Sequence, residues 1–430
     1  MRSATQALTV LAELAPGEAR ARLDHRLAEI AAAPATNRWF RPHELPDTHF
    51  MRFAIIDDPR GELPPLLAWE CNHDGYAADY LAEVARTARS IETVFECCAH
   101  YPTGCIADVA RWVDWMMARA YPAGAFYTAY RGVPHAMIVN DRRVHAALRR
   151  VLDHQDRAAL HGLSRHELQR RICAEVADRH PELELSTDDE EEMRWMTGKL
   201  GAIGLVLLLL PFAILFGLPW YLALRHKEST DIASAYARPV DVDPAVKAIE
   251  DRGLQNQLTH VVDIKPGELR LATLWLVLKA IDLIARVYSV RGDLGGITSI
   301  HFARWVILRD RRSRRVRRGA AARHRLLFFS NYDGSWESYL GEFIDRAAYG
   351  LTAVWSNTRG FPATRYLVGD GARDEAAFKQ WTREHQVATQ VWWTGAPSST
   401  VRNVRDDIWI RRRLDRGLTD DEVTSWLRRL

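Results

Sequence analysis

Apolar positions along the chain fall in blocks whose spacing switches between helical and extended, and the order of those blocks occurs twice. Leu8, Leu11 and Leu14, then Leu23, Leu27 and Ile30, recur at helical spacing and predict an Ala-rich helix over 4–32, stopped by Pro34. After a Pro-containing linker, 49–56 is apolar and suits a strand, and PPLLAWECNHDG follows as a second. Asn72-His73-Asp74-Gly75 turns the chain into the helix YAADYLAEVARTA, with Asp74 placed to cap it. IETVFECCAH reads as a strand, IADVARWVDWMMARAY as a helix and GAFYTAYRG as a strand.

The second half repeats this order. SIHFARWVILRD and HRLLFFSNYDG read as strands, SWESYLGEFIDRAA as a helix, LTAVWSNT and ATRYLVGD as strands, DEAAFKQWTREHQ as a helix and ATQVWWTG as a strand. Individual residues recur with it. His49-Phe50-x-Arg52 matches His301-Phe302-x-Arg304, Asn72-x-Asp74-Gly75 matches Asn331-x-Asp333-Gly334, and Tyr80-Leu81 matches Tyr339-Leu340. Such a series in one order marks an internal duplication. Strand, helix, strand, strand, helix, strand with antiparallel pairing is the ferredoxin-like unit, here with an added leading strand. Two copies can cover each other's exposed sheet face.

The fold class expected is therefore α+β, with two tandem ferredoxin-like modules, 45–150 and 296–416, forming a pseudo-dimeric α+β barrel. Around them the pattern places an N-terminal helix in 1–35, a helical connector in 151–198 and a membrane-inserting helical segment in 199–225. A linker with an amphipathic helix occupies 226–295, and a C-terminal helix 417–430.

The stretch 200–224 is 25 residues without a charge, long enough to cross a hydrocarbon core that needs roughly 20. Trp220 and Tyr221 stand at its end, where amphipathic rings favour the headgroup level. A single crossing would separate the two modules, so the expected insertion is monotopic, turning back at Pro211 or Pro219 or lying in one leaflet. The helix LATLWLVLKAIDLIARVY that follows either lies in the headgroup plane or packs in a core.

Composition narrows the partners. Hydrophobic content of 47% and charged content of 26% describe a folded chain, and a net charge of +3 gives no general attraction to nucleic acid. Local charge differs: 309–325 holds nine Arg in seventeen positions. Without interleaved aromatics for base stacking, the predicted partner of Arg311, Arg312, Arg314, Arg315, Arg317 and Arg318 is anionic membrane lipid, with Trp220 and Tyr221 at the interface, and no nucleic acid is expected. The five cysteines follow no zinc spacing and read as reduced thiols, so no metal is expected and the modules are placed on the cytoplasmic side of a membrane.

Candidate chemistry sits on duplicated positions: His49, Arg52, Asp74, His301, Arg304 and Asp333, with His385 specific to the second copy opposite Ala120. Strand alternation points His49 away from the face of Arg52, and His301 away from that of Arg304. Asp74 and Asp333 have capping as their leading role. No G-x-S-x-G, P-loop, H-E-x-x-H or G-x-G-x-x-G is present.

IHFARWVI, followed by LLFFSNYDGSWESYLGEFI, GLTAVWSNTRGFP and HQVATQVWW, resembles an uncharacterised bacterial family, closely over 250–430 and more weakly over 40–150. Its architecture is similar to the dimeric α+β barrel group, which includes dye-decolourising haem peroxidases. Those enzymes carry G-x-x-D-G, with a distal Asp and Arg and a His on the haem iron. Here Asn331-Tyr332-Asp333-Gly334 keeps the Asp-Gly pair, with Ser330 at the place of the first Gly. Three functions are thus expected to compete. The first is a non-enzymatic binding or scaffolding protein docked on anionic lipid, which could also take a protein partner. The second, implied by the resemblance, is a haem-dependent peroxidase-like enzyme with His301 or His385 on iron and Asp333 with Arg304 as distal groups. The third is an enzyme for a lipid-soluble small molecule, held in an apolar pocket lined by Trp355, Trp392 and Trp393.

Overall fold

The computed structural model describes residues 5–154, 162–185, 190–231, 242–287, 294, 296–309, 323–414 and 417–430. Its first element is a strand, β1 (Thr5–Glu13), and the helix expected over 4–32 is confined to α1 (Ala19–Ala32). The Leu8, Leu11, Leu14 spacing is compatible with a helix. The alternation beneath it wins, because Leu8, Val10, Ala12 and Leu14 enter one core while Leu11 enters another.

The first half continues with β2 (Thr48–Ile56), β3 (Leu66–Asp74), α2 (Ala77–Thr87), α3 (Val109–Met117) and β4 (Ala125–Thr128). IETVFECCAH is not a strand. It forms helical turns that bury Ile91, Val94 and Phe95, and meets the chain just after β1 through an isolated bridge between Leu14 and Cys98. Helices α4 (His135–Asp153), α5 (Arg165–Arg179) and α6 (Glu190–Thr230) follow.

The second half comprises β5 (Gln255–Asp263), α7 (Glu268–Val287), β6 (Ile300–Arg309), β7 (His324–Asp333) and α8 (Trp336–Trp355). It ends with the short pair β8 (Thr364–Arg365) and β9 (Gly369–Asp370), then α9 (Glu375–Glu384), β10 (Thr389–Thr394), α10 (Val401–Arg411) and α11 (Asp420–Leu427). LTAVWSNT supplies the end of α8 rather than a strand, since Leu351, Val354 and Trp355 are buried at helical spacing. Each half thus begins with a strand and a helix ahead of the boundary expected at 45 or 296. The α7 helix stands where α1 stands in the first half and buries Leu271, Leu274 and Leu278 in the core.

Two four-stranded antiparallel sheets result, in the orders β1-β3-β2-β10 and β4-β6-β7-β5. The last strand of each half belongs to the other half's sheet: β10 pairs with β2, and β4 with β6. Leu11, Ala54, Ile56, Leu66 and Ala68 of the first sheet meet Val306, Leu308, Leu327 and Phe329 of the second in a core between the sheets. Because the sheets share strands and a core, both halves lie on the same side of any membrane.

Among the described residues no helix is long and apolar enough to cross a membrane, so the segment expected at 199–225 is not supported as a crossing. Nor does it turn back. The α6 helix continues through Pro211 and Pro219. Its C-terminal end packs on α7, where the Trp220 indole donates to Thr273 at 3.0 Å and Leu224 is buried. Leu207, Leu208, Ile214 and Leu215 are 62–73% exposed.

Candidate functional site

The duplicated residues converge between the two sheets. Arg52 and Arg304 are buried there, each reaching across to the opposite sheet. Arg52 donates from one Nη to the Leu258 carbonyl at 2.8 Å and Thr259 at 3.1 Å, and from the other to the Ser330 carbonyl at 2.9 Å and Asn331 at 2.6 Å. Arg304 repeats this on the Leu8 carbonyl at 2.7 Å, Thr9 at 3.1 Å, the Cys71 carbonyl at 2.8 Å and Asn72. Asn72 and Asn331 therefore serve as acceptors between the sheets as well as flanking a turn.

One carboxylate lies between the guanidiniums. Glu70 accepts from Arg52 Nε at 2.7 Å and pairs with Arg304 at 2.7 Å. At the equivalent place in the second half is Phe329, whose ring lies 5.5 Å from the Arg52 guanidinium. Burial lowers the pKa of both arginines and Glu70 opposes that shift, so the triad is a charged cluster in which one acid serves two bases.

His49 and His301 lie further along the same strands. The β2 register shifts between Thr48 and Phe50, and the β6 register between Ile300 and Phe302. These bulges overturn the expectation from alternation, because an extra residue re-aims the side chain. His49 now sits 5.3 Å from Phe302 and His301 5.1 Å from Phe50, ring to ring, across the interface. Each His bonds its Asp: His49 to Asp74 at 2.9 Å and His301 to Asp333 at 2.8 Å. Each Asp uses its second oxygen to accept the first N–H of a later helix, His135 of α4 at 2.6 Å for Asp74 and Val401 of α10 at 2.7 Å for Asp333. The caps are real but serve helices distant in sequence. Burial alone would raise the Asp74 carboxyl; the bonds from His49, His135 and Thr5 outweigh it and hold it below the ordinary carboxylate value.

This geometry leaves little room for substrate. The cavity bordered by His49, Tyr130, His135 and His301 measures about 10 Å³, space for about one water. The Cys71 thiol, in the core of the first half, is pushed up to about 12 by burial, so it is not a thiolate nucleophile at neutral pH.

The residues do not fit haem. His301 spends one ring nitrogen on Asp333 and the other on Tyr130 at 3.0 Å, while both Nη groups of Arg304 are committed to the first sheet. His385 bonds the Trp381 carbonyl at 2.9 Å and packs against Trp381 and His260, with its pKa lowered by burial. Its counterpart is Arg119 rather than Ala120, since the His385 carbonyl accepts from Val261 as that of Arg119 accepts from Leu11. Among the described residues no cluster of His, Cys, Asp or Glu could hold a metal ion.

The pocket expected at Trp355, Trp392 and Trp393 is not formed either. Trp355 and Trp392 belong with one core and Trp393 with another. Of the lipid-facing candidates, Trp220 is tied to α7 and Tyr221 is exposed, while Arg311, Arg312, Arg314, Arg315, Arg317 and Arg318 lie outside the described residues. Arg323, at the end of the basic stretch, is held by Asp58 at 2.7 Å and Asp263 at 3.0 Å.

The residues that sequence reasoning missed are Glu70, Thr9, Thr259, Tyr130 and His135. Only the two threonines carried a signal, as equivalent members of strands that open each half. Comparison with family models, curated proteins and solved structures finds no match for the chain.

Proposed function

We propose that this chain is a non-enzymatic binding or scaffolding protein: two ferredoxin-like units fused into one pseudo-dimeric α+β barrel that docks peripherally on an anionic lipid surface. The observation that carries this reading is the apolar surface of α6. Leu200, Ile203, Leu205, Leu208, Leu210, Ile214, Leu215 and Phe216 are all exposed, and at about 100° per residue they spread over about two-thirds of the helix circumference. A protein groove would cover one face of such a helix, whereas a lipid phase takes an apolar surface of any orientation.

Nearby elements extend it. Trp275 and Leu276 of α7 and Tyr366 and Val368 at the β8–β9 hairpin are exposed, and the end of α6 is fixed to both elements through Trp220 and Glu228. Basic residues flank the apolar run at Arg225 and Lys227, and the arginine-rich stretch adds further attraction to acidic headgroups. The packed interior and the structural bonding of the His–Asp pairs support a role without catalysis.

Vesicle flotation tests the reading. The full chain is expected to float with phosphatidylcholine vesicles containing phosphatidylserine, and the combined variant Leu207→Asn, Leu208→Asn, Ile214→Asn, Leu215→Asn to remain at the bottom. A wild-type chain that floats with neither neutral nor acidic vesicles would rule lipid docking out.

A further inference from the structure

A second cavity, of about 430 Å³, opens where the end of β1 and the start of β3 meet the end of β6 and the start of β7. This is the size of a pocket for a small organic ligand. Its floor is the core between the sheets, presented by Leu11, Leu66 and Leu308, each less than a tenth exposed. Its wall carries Arg119, Arg309 and the buried Arg325, with Glu13 as the acid that lines it. Arg323 also borders it but is already neutralised by Asp58 and Asp263.

We propose that this cavity binds a single-chain amphiphile with a carboxylate head, its alkyl chain on the leucine floor and its head on Arg119 and Arg309. The arginines on the lining outnumber its one acid, Glu13, which favours an anionic head over a neutral one. The Arg119 guanidinium, bonded to the Trp115 carbonyl at 3.1 Å and lying over the Trp115 ring, is fixed in orientation. Burial lowers its pKa, a cost that an anionic ligand relieves.

The duplication supplies an internal control. At the equivalent place in the other half, Asp57 replaces Arg309 and His385 replaces Arg119. The His385 ring fills that place by packing on Trp381 and His260. The pairing of Arg119 with Arg309 beside an apolar floor therefore belongs to one half, although the two halves repeat the same unit. This inference does not depend on the lipid-docking reading.

Isothermal titration of the full chain with dodecanoate, dodecanol and acetate tests it. Dodecanoate is expected to bind one per chain, and dodecanol and acetate at least about tenfold more weakly, as loss of a charge-assisted contact or of alkyl burial requires. Arg309→Gln should weaken dodecanoate by about tenfold. Ala118→Trp, at an exposed position on the cavity wall, should block it without removing a charge. Circular dichroism checks that both variants fold. The four-Asn α6 variant should bind dodecanoate as wild type does. No binding to the wild type, equal binding of dodecanol, or loss in the α6 variant with retention in Arg309→Gln and Ala118→Trp would each overturn the proposal. The last outcome would place the amphiphile on α6.

Discussion

Glu70 holds two buried guanidiniums in place, and removing its charge leaves both without a countercharge. Glu70→Gln is therefore expected to destabilise the fold by about 3–5 kcal/mol, the cost of breaking a buried ion pair by deleting one partner. Urea denaturation reads this directly, and a loss under about 1 kcal/mol would mean that the surrounding carbonyls alone satisfy Arg52 and Arg304. Asp74 gives a pH-dependent counterpart. Its folded pKa lies below the ordinary 3.8, so its stabilising contribution is complete above the unfolded value and is lost as pH falls through the folded one. Asp74→Asn should cost about 1–3 kcal/mol at neutral pH, and the gap to wild type should close as the pH drops below about 4. A gap that stays constant down to acid denaturation would show that the carboxylate charge is irrelevant. The duplicated His, Arg and Asp were legible in the sequence because they occur twice in one order. Glu70 was not, because its counterpart is Phe329 and its partners come from both halves. The aim of His49 was misjudged for a local reason: a bulge changes strand alternation, and no residue type at 48–50 announces one.

Among the elements, β10 and β4 bind the halves together, since each completes the other half's sheet. Val391 of β10 is 1% exposed and lies in the core built otherwise from residues 8–116. Val391→Asp places an unpaired charge in that core and is expected to cost about 3–5 kcal/mol or more. Because the substituted strand belongs to the second half, hydrogen exchange should accelerate together at β3 and at β7. Native protection at β7 alongside exchange at β3 would show that the sheets unfold independently. Strands β2, β3, β6 and β7 were readable as apolar runs bounded by turns. The opening strands were not. In β1 three leucines also satisfy helical spacing, and β5 (QNQLTHVVD) carries polar residues at buried positions, among them Thr259, which accepts a bond from Arg52. A strand whose polar face is satisfied by the opposite sheet resembles a loop when read alone.

For the whole molecule, strand exchange decides what the apolar run can do. With both halves in one body, α6 cannot separate them across a bilayer. Its uncharged sequence announced a long helix, but its course was set by contacts invisible in that sequence, such as the Trp220 bond to α7. Lipid docking through α6 and the arginine-rich stretch would combine two forces with different salt responses. Screening shortens from about 10 Å at 0.1 M salt to about 3 Å at 1 M, which weakens the arginine contribution, whereas salt does not screen apolar burial. Binding to phosphatidylserine vesicles should therefore fall with salt to a plateau above zero. Replacing Arg311, Arg312, Arg314, Arg315, Arg317 and Arg318 with Gln should remove most of the salt-dependent part and leave the plateau, while the α6 substitutions should remove the plateau. A salt profile unchanged by loss of the six arginines would mean that they do not face lipid, and that other basic groups such as Arg225 and Lys227 carry the salt-dependent part.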